Sequence, residues 1–127
     1  MKKTLAIIIT ATLILTCFAH AYADTIAPCA TVGHNISATV SVSGGTGKAV
    51  VTVKLLSGYS ASTIMRVEKQ VDGVWSAIKT VTGTTKLSTT FSTSSGISYR
   101  VYVISNITDI VTGSVDCVKQ YSTPKSY

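Results

Sequence analysis

From Ile36 to Tyr121 the chain is patterned in twos. "ISATVSV" puts Ile36, Ala38, Val40 and Val42 on one side of an extended backbone and Ser37, Thr39 and Ser41 on the other. "KAVVTVKLL" continues the rule with Ala49, Val51, Val53 and Leu55, and "ISYRVYVIS" does so with Ile97, Tyr99, Val101 and Val103. Side chains alternate faces along a strand but recur every 3.6 residues along a helix, so this spacing selects strands and excludes amphipathic helices. Turn signals cut the pattern into pieces: "SGGTG", "SGYSAS", "VDG", "TGTTK" and "STSSG". Between them lie further strands at about Thr63 to Val71, Trp75 to Val81 and Leu87 to Phe91, with a last one carrying Val115, Cys117 and Tyr121. The closing "STPKSY" is expected to fray.

About seven short strands with turns every 8 to 12 residues or so describe an all-β, two-sheet antiparallel sandwich of immunoglobulin or fibronectin type III character. A closed barrel is the other all-β solution. Tyr99 follows Gly96 closely, early in the sixth strand, where such sandwiches place a corner tyrosine whose hydroxyl bonds back to the chain. No internal repeat or linker composition interrupts the pattern, so a single domain is expected over residues 24–127.

The first residues read as an export signal. Lys2 and Lys3 precede the apolar run "LAIIITATLIL", and "AHAYAD" offers the small residues that a signal peptidase reads, with cleavage expected after Ala23. Eleven apolar residues fall short of the about 20 that a helix needs to cross a bilayer, so no membrane anchor is expected after processing. Thr16 stands before Cys17 where a lipoprotein signal wants a smaller residue, which argues against lipidation. The expected location is secreted or extracellular.

Processing leaves Cys29 and Cys117, and two cysteines in an exported chain point to one disulfide. It would close a loop of roughly 90 residues, for which chain entropy gives about 4 to 5 kcal/mol. The nine basic residues that remain (Lys48, Lys54, Arg66, Lys69, Lys79, Lys86, Arg100, Lys119, Lys125) are scattered singly, unlike a nucleic-acid footprint. Attraction to anionic cell-wall polymer remains an open expectation. Ser and Thr supply 32 of residues 24–127, so outward strand positions are hydroxyls more often than charges, as suits both exposed strands and sugar-facing surfaces.

Catalytic and metal chemistry lack their parts. "GGTGK" has Val42 where a phosphate-binding loop needs Gly and Ala49 where it needs Ser or Thr. His34 has no serine signature around it, and Asp24, Glu68, Asp72, Asp109 and Asp116 have neither glycosidase nor calcium-loop spacing. No catalytic residue, metal site or cofactor is therefore expected. "NIS" at Asn35 and "NIT" at Asn106 match the N-glycosylation acceptor, which matters only in a eukaryotic secretory pathway.

Trp75, the lone tryptophan, depends on the turn before it. A two-residue Asp72-Gly73 turn pairs Val71 with Val74 and sets Trp75 opposite Gln70, on the face of Arg66 and Glu68. A three-residue loop moves it opposite Lys69, with Met65 and Val67 in the core. Large aromatics are highly buried on average, so burial of most of the ring is expected, at the cost of bringing Lys69 and Lys79 onto the core stripe.

The stretches "GYSASTIMRVEKQVDGVWSAIKT" and "SGISYRVYVIS" resemble small exported bacterial immunoglobulin-like sandwich proteins of unknown function. Gly58 to Ser62 matches their tyrosine-serine loop, Gly73 to Trp75 their Gly-x-Trp hairpin and Tyr99 to Val101 their late "YRV" strand. The resemblance spans about residues 36 to 107. It implies export and a sandwich and supplies no activity; the cysteine pair is not part of it. The functional expectation is a non-catalytic secreted or surface-associated module that binds cell-wall polymer, glycan or an envelope protein. Trp75, Tyr59, Tyr102 and Asn35 are the candidate contacts. A small secreted effector, a toxin or enzyme inhibitor, is the alternative.

Overall fold

The computed structural model describes residues 34–127. Eight strands follow in chain order: β1 (Asn35–Ser43), β2 (Thr46–Lys54), β3 (Tyr59–Val71), β4 (Val74–Gly83), β5 (Lys86–Ser92), β6 (Ser98–Asp109), β7 (Val115–Tyr121) and β8 (Lys125–Ser126). They form two antiparallel sheets, β1-β2-β5 and β4-β3-β6-β7, with β8 continuing the β7 side of β6. Among the described residues no helix is long and apolar enough to cross a membrane.

The alternation places the two layers against each other. Val40, Ala49, Val51, Val53, Leu87 and Phe91 come from the smaller sheet; Met65, Val67, Tyr99, Val101, Val103 and Ile107 come from the larger, and all share one buried cluster. Ile36, Ala38, Val42 and Leu55 pack partly buried against it, so the stripes read from the sequence are the core stripes. Thr63 and Ser105 are buried among them. Their hydroxyls lie 2.9 Å apart, and Thr63 Oγ1 donates to the Thr84 carbonyl at 2.6 Å, which satisfies the polar pair.

Two short turns fix the hairpins. Gly44 and Gly45 both have positive φ, as do Asp72 (51°) and Gly73 (79°), so both loops are two-residue turns whose twist matches the strands they join. "GGTGK" is thus the β1–β2 hairpin. Gly47, one step into β2, faces Phe91 across the ladder, and a Cβ there would overlap the Phe91 ring. The bare backbone lets that ring lie flat and meet Tyr99 at 5.3 Å between centroids, tying one sheet to the other. The Tyr99 hydroxyl accepts the Ser94 N–H at 2.8 Å, the back-bond expected of it.

The C-terminal stretch departs from the expectation of fraying. Ser122 is buried, its Oγ accepts the Val101 N–H at 2.8 Å, and its own N–H donates to the Val101 carbonyl. Lys125 and Ser126 then pair with Tyr99 and Ser98. β7 stops at Tyr102, leaving the first residues of β6 with free backbone groups, and the tail supplies their partners. The expected Cys29–Cys117 bond cannot be followed to its far end, because Cys29, like the signal segment with Cys17 and Ala23, lies outside the described residues. Cys117 is half-buried and unbonded among the described residues, on the outward face of β7.

Gly47→Ala should lower unfolding free energy by about 1–3 kcal/mol through overpacking against Phe91. Urea denaturation followed by circular dichroism checks it, and Gly47→Ala combined with Phe91→Leu should recover part of the loss.

Candidate binding face

On the outward side of β4-β3-β6-β7 the alternation that builds the core also builds a row of aromatic and charged side chains. Three direct cross-strand pairings set it up: Gln70 with Trp75, Glu68 with Arg100, and Arg66 with Tyr102, which in turn faces Tyr121. Arg100 Nε donates to Glu68 Oε2 at 2.7 Å, with the two side chains only 21% and 11% exposed. The same guanidinium lies 4.2 Å from the Trp75 ring centroid and 4.1 Å from that of Tyr121. Tyr121 stacks on Tyr102 at 4.5 Å and 20°, and Arg66 lies 5.8 Å from the Tyr102 centroid. Followed from contact to contact, the order is ring, cation, ring, ring, cation.

Arg suits this place because its planar, weakly hydrated head stacks on rings while its Nε–H holds a carboxylate. Each cation–ring contact contributes roughly 0.5–2 kcal/mol depending on desolvation. Stacked rings leave their edges to solvent, so the row offers the Trp75 indole N–H, the Tyr102 and Tyr121 hydroxyls and the free N–H groups of Arg100 and Arg66, all of them able to donate hydrogen bonds.

The expectation that most of the Trp75 ring enters the core is corrected. The two-residue Asp72-Gly73 turn sets Trp75 opposite Gln70 and turns it outward, where Arg100 half-covers it. Lys79 nevertheless faces inward. The ladder pairs Glu68 with Ala77 but Val67 with Lys79, leaving Ile78 unpaired as a bulge. One extra residue switches the parity of β4, so Trp75 and Ala77 point outward while Lys79 and Val81 point toward the core.

Trp75 and Tyr102 thus belong to one row, but the other two candidates stand elsewhere. Tyr59 opens β3 on its inward face, half-buried against the core, with its ring edge-on to His34 at 4.5 Å. Gln70, which pairs with Trp75, is eleven residues further along β3, roughly 35 Å away at the rise of an extended strand. Asn35 is exposed at the start of β1, opposite Lys54, in the other sheet. Arg100, Glu68, Tyr121 and Arg66 were not singled out from the sequence; the alternation in "YRVY" that puts Arg100 beside Tyr102 was the available signal.

The β6–β7 loop is a second exposed feature. Asp109 Oδ1 accepts the N–H groups of Val111 (2.8 Å) and Thr112 (3.1 Å), which holds Ile110 and Val111 out at 66% and 89% exposure. Those backbone N–H groups hold the Asp109 carboxyl below its usual 3.8. Because the folded value is depressed, the stabilisation is present above the unfolded value and fades as pH falls through the folded one.

Comparison of the chain with family models, with curated proteins and with solved structures finds no match.

Arg100→Ala should destabilise the domain by about 2 kcal/mol or more, since it strands the Glu68 carboxylate beneath the row. Trp75→Ala should cost less, and equilibrium unfolding of both variants tests that order. In an NMR titration the Val111 and Thr112 amide shifts should move together with a midpoint below 3.8 and stay flat in Asp109→Ala.

Proposed function

We propose that the protein is an exported, non-catalytic binding module that engages a polar extracellular ligand through the Trp75–Arg100–Tyr121–Tyr102–Arg66 row. The observation that carries this reading is the outward display of the only tryptophan, two tyrosines and two arginines in mutual contact on one sheet. Rings held by backbone pairing and by stacking lose little freedom on binding, which is how a few aromatic and Arg side chains come to dominate a contact. Cell-wall polymer, glycan and envelope protein all present the acceptors that such a row would meet.

The strand order supports an immunoglobulin-like assignment. β3, β4, β6 and β7 fall where such domains carry the strands of the C, C′, F and G sheet, and β1, β2 and β5 fall where A, B and E lie. The Tyr99 back-bond, of the kind a corner tyrosine makes in that architecture, supports the same assignment. Export, cleavage after Ala23 and a Cys29–Cys117 disulfide complete the proposal. Intact mass and a non-reducing peptide map of the secreted product test them: a product starting at Asp24 and lighter by two hydrogens than its thiol form is expected, and free thiols at both positions would remove the disulfide.

A second reading is favoured by the β6–β7 loop. Ile110 and Val111 project from a loop stiffened by Asp109, as in an inhibitor that inserts a pre-formed loop into a target's groove.

Purified protein should be retained on isolated cell wall or on members of a glycan array. Trp75→Ala and Tyr102→Ala should each weaken retention about tenfold with circular dichroism unchanged, while Val111→Ser has no effect. Retention that survives Trp75→Ala but falls with Val111→Ser would transfer the function to the loop.

A further inference from the structure

Behind the Trp75 face, on the other side of the β3–β4 hairpin, the two sheets part to leave an open cleft of about 560 Å³. It is lined by Lys69 and Lys79, by the hydroxyl-bearing Thr46, Thr90, Ser92, Ser94 and Tyr99, and by Phe91 and Ile78. None of these residues is acidic, and neither lysine has a carboxylate partner among the described residues. The volume lies within the range of small-molecule sites.

The strand geometry puts both lysines on this side of the hairpin. Val67 pairs with Lys79 and Lys69 pairs with Ser76, so both lysines sit on the inward side of the hairpin, separated only by the bulge. Without the unpaired Ile78, the turn that sends Trp75 outward would send Lys79 outward too. The bulge therefore keeps a tryptophan on one face of β4 and delivers a second positive charge to the other, re-aiming a side chain at a site as bulges commonly do. Lys79 Nζ donates to the Thr90 carbonyl at 2.9 Å, which holds it at the cleft and leaves two of its three N–H groups to give. The Tyr99 hydroxyl, which accepts from Ser94 N–H, keeps its own O–H to donate. A cleft lined by two cations and no carboxylate attracts an anion.

We propose that this cleft binds the anionic group of a sugar-sized molecule, a carboxylate or phosphate held by Lys69 and Lys79. Its hydroxyls would meet the Ser94 hydroxyl and the backbone carbonyls along the β5 edge, where Thr90 already accepts from Lys79, and its apolar ring edge would meet Phe91 and Ile78. The chemistry is that of an acidic or phosphorylated sugar, at a site separate from the aromatic row.

Titration of the ¹⁵N-labelled protein with glucuronic acid, glucose 6-phosphate and glucose tests this, the first two separating carboxylate from phosphate. Saturable shifts confined to the amides around Lys69, Lys79, Ser92 and Ser94 are expected with at least one anionic sugar, and glucose should bind at least tenfold more weakly. Lys69→Gln and Lys79→Gln should each weaken binding about tenfold or more. Lys119→Gln and Trp75→Ala should leave it unchanged, which keeps this site's fate apart from that of the aromatic row. The proposal is overturned by an equal response to glucose, by no saturable response to either anionic sugar, or by undiminished binding to a Lys69→Gln, Lys79→Gln double variant whose spectrum shows it folded.

Discussion

The pairing of β3 with β6 is the constraint on which the rest of the molecule depends. Twelve residues of each strand run side by side, from Tyr59 with Asp109 to Gln70 with Ser98. Because side chains alternate, this one register decides two surfaces at once. Inward it aligns Met65 with Val103, Val67 with Val101 and Thr63 with Ser105, which supply much of the core. Outward it aligns Glu68 with Arg100 and Arg66 with Tyr102, the middle of the aromatic and charged row. A slip of β3 by a single residue would turn Glu68 and Arg66 inward and Met65 and Val67 outward, parting Glu68 from Arg100, so burial of the core and display of the row are two consequences of one arrangement.

The row also shows how a buried-side charge is tolerated without a polar core. Glu68 is nearly covered, yet its carboxylate has the Arg100 guanidinium at 2.7 Å, and Arg100 in turn is covered by Trp75 and Tyr121 instead of by water. A strand from each part of the larger sheet contributes: β4 the tryptophan, β3 the carboxylate, β6 the arginine and β7 a tyrosine. The contacts thus bridge four strands side by side, which stiffens the surface that the proposed ligand would meet. Stiffness and display come from the same side chains, so substitution at Arg100 acts on both.

Much of this was legible in the sequence, and the failures have local causes. The core stripes of β1, β2, β5 and β6 follow from alternation because those strands run without interruption, and the Tyr99 back-bond follows from its place beside Gly96. β4 defeated the same rule. Trp75, Lys79 and Val81 share one parity in the sequence, and any continuous strand puts all three on one face; the bulge at Ile78 divides them, and no glycine or other residue marks it. The prior that large aromatics are buried then favoured the wrong turn for Trp75, because it could not weigh an arginine two strands away as its cover. Ser122, Lys125 and Ser126 look like a polar tail by composition, but vacant backbone groups on β6 give them partners that no local signal announces.

The central claim is that a single register sends Trp75 outward against Arg100 while Met65 and Val67 fill the core. Nuclear Overhauser contacts from the Trp75 indole protons test it most directly. The account predicts cross-peaks to the Arg100 δ-methylene protons, with those protons moved upfield by the flanking Trp75 and Tyr121 rings. Cross-peaks from the indole to the Met65 and Val67 methyls, with Arg100 at ordinary solvent-exposed shifts, would contradict it.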